Sequence, residues 1–227
     1  SFFSFAANPA HFIVDAFANL KAHALPFSDI AQSVHDASGD LDAARRVFET
    51  LPLKWTWGWN LSQDRPALIP FDWFFAINAF NGPSAGNCKE EALLQGVCEV
   101  VERHVCARVS RGRLETPAIR PSSAEDAAVL EMLRKYEAAG VSLHLSDLTL
   151  DMGIPTVGVL AHDPATFPQK SEIVWTAGTT PHPEKALGRA LTETAQLGGD
   201  FNTGANYVAS GLPKPPSLQE MAFVTEA

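Results

Sequence analysis

The chain reads as a mixed α/β protein of the α+β kind, in which helices pack on a mixed or antiparallel sheet. Three patterns carry that reading. Trp55, Trp57 and Trp59 recur at every second position of 54–60, the period of a strand. The segment after Asn87 sets apolar and acidic residues at helical spacing for about six turns. Short apolar runs then alternate with the turn signals Asp151-Met152-Gly153 and Asp163-Pro164. With 46% hydrophobic residues in 227, the chain can bury a sizeable core and is not disordered.

Each element has its own justification. Asn8 and Pro9 open a helix to about His23, a second follows Ser28, and a third covers 40–51, with Gly39 as the break before it. The strand at 54–60 puts its three indoles on one face, which is either a covered sheet face or a platform on which a peptide stacks. Residues 67–79 are apolar and aromatic enough for a second strand. A long helix runs from Cys88 to near Gly112. A Pro-rich connection then leads to an amphipathic helix at 124–139, capped by Ser123 and stopped by Gly140. Strands are expected at 141–148, 155–161 and 173–176. Pro183 suits a first helical position and Gly198 with Gly199 a helix end, which defines a last helix. From Asn202 the Gly, Pro and Ser content marks loop and frayed end. The expected organisation is a helical part at 1–52, a core at 53–200 and a loop-rich tail at 201–227.

Composition excludes several function classes. A net charge of -9 argues against general binding to nucleic acid or acidic membranes. No apolar run approaches the roughly 18 residues that span a bilayer, and the amino end lacks a basic n-region, so a cytoplasmic protein is expected. Cys88, Cys98 and Cys106 share one helix, the last two about 12 Å apart along its axis, too far for a disulfide. Reduced, packed thiols are the expectation. The phosphate-loop motif G-x-x-x-x-G-K-[ST] is absent, and the histidines form no metal-binding pair or catalytic triad.

The chemistry concentrates in N-G-P-S-A-G-N-C-K-E-E-A-L-L-Q-G-V-C-E-V-V-E-R, from Asn81 to Arg103. On a helix, Glu91, Glu99 and Glu102 fall within an arc of roughly 80°, and Gln95 falls inside it. Leu93, Leu94, Val97, Val100, Val101 and Val105 gather opposite and form the expected core face, while Ala92 and Gly96 leave room beside the acidic row. Asn87 as N-cap with Glu90 makes a capping box, so the loop from Gly82 to Gly86 is aimed at a helix N-terminus, where an anion is favoured. A single acidic face is also what a solvated helix shows. The helix after Pro183, however, repeats the device with Arg189, Glu193 and Gln196 in line. Two such lines facing one cleft would repel unless a cation such as Mg²⁺ held them together with phosphates.

From about Ile69 to Gln196 the sequence resembles the YcaO family, most specifically in N-G-P-S-A-G-N, in E-V-V-E-R and in R-A-L-T-E-T-A-Q. The resemblance implies a YcaO-like domain that binds ATP and Mg²⁺. It also implies phosphorylation of a backbone amide oxygen of a peptide, so that a nucleophile can replace it, as in azoline or thioamide formation. Carried over by position, it implies Ser84, Asn87, Arg103 and Arg189 as nucleotide ligands and Glu91, Glu99, Glu102 and Glu193 as Mg²⁺ ligands. Gln196 is a further candidate, and no catalytic residue is assigned. The partners implied are a peptide or protein substrate, with a substrate-delivering protein and a homodimer both compatible. The family's upstream E-x-x-E-R helix and its lysine-bearing glycine segment find no match here, nor does its C-terminal region. The chain is thus expected to be a partial domain, inactive by itself. The alternative is a non-catalytic or degenerate module that keeps the fold for peptide recognition or assembly.

Overall fold

The computed structural model describes residues 6–32, 41–78, 81–168, 173–198, 217–221 and 224. Gly39, Gly199 and the segment from Asn202 to Pro216 lie outside the described residues. The chain divides into two compact units, Ser1–Pro83 and Ser84–Ala227.

The first unit is built on an antiparallel sheet of strands β1 (Ile13–Ala16), β2 (Pro52–Asn60) and β3 (Arg65–Pro70), in that order. Helices α1 (Phe17–Leu20), α2 (Phe27–Ala31), α3 (Leu41–Thr50) and α4 (Phe71–Asn78) accompany it. Trp55 is fully buried among Phe17, Ala24 and Leu68, and its indole N–H donates to the Asp15 carbonyl at 2.9 Å. Trp57 and Trp59 share that face yet are 51% and 57% exposed. The difference follows from register: β1 reaches only as far as Trp55, opposite Ile13, and among the described residues no strand covers the rest of that edge of β2.

Two expectations fail in this unit. Asn8 caps a single 3-10 turn, Pro9–His11, with its side chain accepting from the Ala10 N–H. The continuous helix to His23 is replaced by that turn, a strand and α1, because Ile13 and Val14 are β-branched and pair with β2. Residues 67–79 are not one strand either: β3 stops at Pro70 and α4 starts at Phe71. Uniform apolarity does not distinguish a buried strand from a buried helix.

The second unit contains helices α5 (Lys89–Gly112), α6 (Ala127–Ala138) and α7 (Pro183–Leu197). Its antiparallel sheet has the order β4 (Ser142–Asp147), β5 (Thr156–His162), β6 (Val174–Thr179). Every residue of β5 is buried. Val157 and Val159 pack with Val129 of α6 and Ala186, Leu187, Ala190 and Leu191 of α7. Leu160 and Ala177 pack on the other side with Val101, Val105 and Val109 of α5. The sheet is thus covered by α5 on one face and by α6 with α7 on the other. The Tyr136 hydroxyl donates to the Leu191 carbonyl at 2.7 Å and ties α6 to α7.

The buried stripe of α5 is Cys98, Val101, Val105 and Val109. Of the expected core face, Leu93, Leu94, Val97 and Val100 are exposed. Successive helical residues point about 100° apart, so Val100 and Val101 cannot both face the sheet. The cap of α6 also differs, since Asp126, not Ser123, accepts from the N–H groups of Ala128 and Val129. Ser123 belongs to the 3-10 turn Pro121–Ser123. Strand β6 runs to Thr179 and not only to Thr176. Among the described residues no helix is long and apolar enough to cross a membrane.

Candidate functional site

The loop before α5 is folded back onto the helix it precedes. Gly82 has φ +96°, a conformation open to glycine. A Cβ on Gly86 would stand 2.4 Å from the Ala92 nitrogen, so only glycine allows that approach. The Ser84 hydroxyl donates to the Ala92 carbonyl at 2.6 Å. Cys88, and not Asn87, is the N-cap, and it makes no side-chain cap bond. Glu91, three residues on, takes the reciprocal role expected of Glu90: its Oε2 accepts from the Asn87 backbone N–H at 2.7 Å and from Asn87 Nδ2 at 2.9 Å. The capping register therefore sits one residue later than the spacing suggested. Ser84, Asn87 and Glu91 form a clamped corner at this end of α5.

About 12 Å further along the helix axis comes a second group. Its acidic row borders the buried stripe of α5, and β6 is the edge strand between α5 and α7. Around that edge, Glu99, Glu102 and Arg103 meet Arg189 and Glu193. Arg103 stands 3.6 Å from the Glu99 carboxylate. Arg189 donates through Nη1 to the Thr179 carbonyl at 3.1 Å. Burial pushes the Glu102 carboxyl up to about 7, the Glu193 charge adds to the rise, and Arg103, the Thr179 hydroxyl and Arg189 oppose it. Glu193 is raised too, first by burial, with Glu99 adding to the rise against Arg103 and Arg189. Two half-buried carboxylates thus share one electrostatic environment with two guanidinium groups.

Gln196 is exposed at the far end of its line. Cys88 is exposed and not packed as expected, whereas Cys98 and Cys106 stay outside the chemistry. Burial, then the Glu102 charge, pushes Cys106 up to about 12, and burial raises Cys98 as well, so both act as packing groups. Thr179 is the site residue that sequence reasoning missed, because the strand was ended at Thr176. The Gly178-Thr179 pair was its signal: a Cβ on Gly178 would lie 2.2 Å from the Ala186 carbonyl, so glycine lets β6 and α7 touch and sets Thr179 beside Arg189.

The donor set fits Mg²⁺ shared with phosphates. The Glu193 charge raises the proton affinity of Glu102, and the Glu99 charge that of Glu193, and a divalent cation removes that conflict. Among the described residues no three Asp, Glu, His or Cys side chains already converge as a metal cage. Mg²⁺ commonly uses one or two carboxylates and completes its shell with water and phosphate oxygens.

The family model described as "YcaO cyclodehydratase, ATP- and Mg²⁺-binding" matches residues 1–225, and the chain belongs to the YcaO family. It is similar to the ribosomal protein S12 methylthiotransferase accessory factor YcaO of Escherichia coli. They are 31% identical over 136 residues, which cover 60% of this chain and 22% of that protein. Among solved structures, a heterocyclase in complex with substrate and cofactor matches with a TM-score of 0.73 at 21% identity, covering 94% of this chain and 32% of that one. That likeness speaks to the fold alone. The YcaO of Methanopyrus kandleri bound with AMPPCP and Mg²⁺ matches with a TM-score of 0.51 at 29% identity, covering 66% of this chain and 41% of that one. The chain spans less than half the length of the curated relatives it matches.

Proposed function

We propose that this chain contributes one wall of an ATP and Mg²⁺ site in a cytoplasmic enzyme that activates a backbone amide of a peptide or protein. The observation that carries the reading is the meeting of Glu102 and Glu193 beside Arg103 and Arg189 at the edge of β6, in a chain of the YcaO family. The Methanopyrus kandleri relative, bound with AMPPCP and Mg²⁺, supports it.

Under this reading Glu99, Glu102 and Glu193 would hold Mg²⁺, with Glu91 about 12 Å away along α5 at the other end of the acidic row, and the cation would offset the negative charge that carboxylates and phosphates bring together. Arg103 and Arg189 present guanidinium forks to phosphate oxygens, a geometry suited to bidentate contact. Ser84 and Asn87 line the corner at the start of α5. The Thr179 carbonyl fixes Arg189, so its charge is placed before any ligand arrives. The amide oxygen of the substrate attacks the γ-phosphorus, and the bond to the bridging oxygen breaks, leaving ADP. A nucleophile then adds to the amide carbon and inorganic phosphate departs with the former amide oxygen. A neighbouring side chain as nucleophile gives an azoline, and a sulfide gives a thioamide. Alignment and charge stabilisation are the protein's part in such a transfer. The activity is proposed for the intact protein and not for this chain by itself.

Glu102→Ala in the full-length protein tests the site. Calorimetric titration with ATP and Mg²⁺ should show an affinity lower by roughly tenfold or more, with the fold intact by circular dichroism. Unchanged affinity would remove Glu102 from the site. Failure of the unaltered full-length protein to bind would favour the non-catalytic module.

A further inference from the structure

Helix α5 carries a third face besides its buried stripe and its acidic row. Leu93, Val97 and Val100 follow one another at intervals of four and three residues, the spacing of a coiled-coil seam, and are 46%, 40% and 54% exposed. Val97 points roughly 140–160° around the helix from Glu102 and Glu99, so this face lies away from the proposed nucleotide site. Single exposed aliphatic side chains are ordinary. A seam of them on a regular helix, with Leu94 exposed beside it, marks a docking surface.

The charges at the two ends of the seam define what docks there. Glu90 is exposed one turn before Leu93, and the exposed His104, Arg108 and Arg111 continue the line after Val100. Eighteen residues, or five whole turns, separate Glu90 from Arg108, so the two share one side of the helix with Val97 and Val100 about midway between them. A seam that is acidic at one end, aliphatic in the middle and basic at the other is complementary to itself when reversed. A second α5 laid antiparallel sets Val97 against the partner's Val100 and Glu90 against the partner's Arg108, each contact made twice about one two-fold axis. Lys89 then meets the partner's Ala107. A parallel copy would set Glu90 on Glu90 and arginine on arginine, which repel. Arg108 bonds Asp151 in its own chain through Nη1, and its guanidinium fork has further N–H groups to offer.

We infer that two copies of this chain pair through the exposed seam of α5, antiparallel, with Glu90 of each subunit facing Arg108 of the other. The inference is independent of the nucleotide reading, since neither Glu90 nor the seam belongs to that site.

Sedimentation velocity of the full-length protein tests it. The parent should sediment as a dimer. Val97→Glu should raise the dimer dissociation constant by about a hundredfold or more, because each dimer would bury two unpaired carboxylates, with circular dichroism unchanged. Glu90→Arg alone should weaken the dimer roughly tenfold, and adding Arg108→Glu should restore most of the loss. Along one helix these two side chains are about 27 Å apart, so only a contact between subunits gives that recovery. A monomeric parent, or a dimer that neither Val97→Glu nor Glu90→Arg weakens, overturns the inference. If Val97→Glu fails to fold, the charge swap decides, and a double variant no tighter than Glu90→Arg alone overturns it.

Discussion

Glu102 holds its proton up to about pH 7, well above the ordinary glutamate value of 4.5, because burial and the Glu193 charge both disfavour its anion. In the unfolded chain that proton leaves near the ordinary value, so between the two the folded state binds the extra proton. Its contribution to stability is complete at low pH and is lost as pH rises through about 7. Glu193 acts with the same sign. His144 and His162, whose pKa values burial lowers, act oppositely and lose stability as pH falls. The informative quantity is therefore a difference between two proteins. Calorimetric melting of the ligand-free protein from pH 5 to 8 should show Glu102→Gln gaining on the parent as pH rises; parallel curves would show that Glu102 ionises normally. The grouping of Glu99, Glu102 and Arg103 was legible in the sequence, since helical spacing alone sets them on one line. The capping register was not, because Glu90 and Glu91 are adjacent and the fold of the Gly82–Gly86 loop decides which turns back to Asn87.

At the scale of elements, β6 and α7 are joined through Gly178, where a Cβ would meet the Ala186 carbonyl, the Ala190 nitrogen and the Arg189 Cβ. Gly178→Ala should destabilise the protein by about 1–3 kcal/mol in urea unfolding, as expected for overpacking, and should weaken nucleotide binding by shifting Arg189. An unchanged urea midpoint would show that the strand yields at no cost. The helices α5, α6 and α7 and the strands of the second sheet were readable because their periods are strong and their ends carry Pro, Gly or Asp. The apolar face of α5 misled for a definable reason. The helix carries aliphatic residues on more than one side, and its neighbours select the stripe of Cys98, Val101, Val105 and Val109. The first unit was harder to read, since Ile13 to Ala16 pairs with residues about forty positions away and gives little sign of it locally.

Across the whole molecule, the clusters around Leu160, Val159 and Ala161 draw their buried residues from the second unit alone. A chain of 84–227 should therefore fold by itself, with one cooperative thermal transition and dispersed amide resonances; a broad, non-cooperative melt would show that it depends on 1–83. The sequence determined by itself which side chains share a line, what chemistry those lines could hold, and that the chain is a mixed α/β protein of the YcaO kind. The shared lines are consequences of covalent spacing and backbone period, and the family rests on the resemblance of the motifs that carry them. Only the tertiary structure decided which stripe of α5 is buried, that its acidic row meets Arg189 and Glu193 around the edge of β6, and that Glu102 resists ionising. Burial and charge coupling are set by residues some ninety positions apart in the chain, and no local pattern records them.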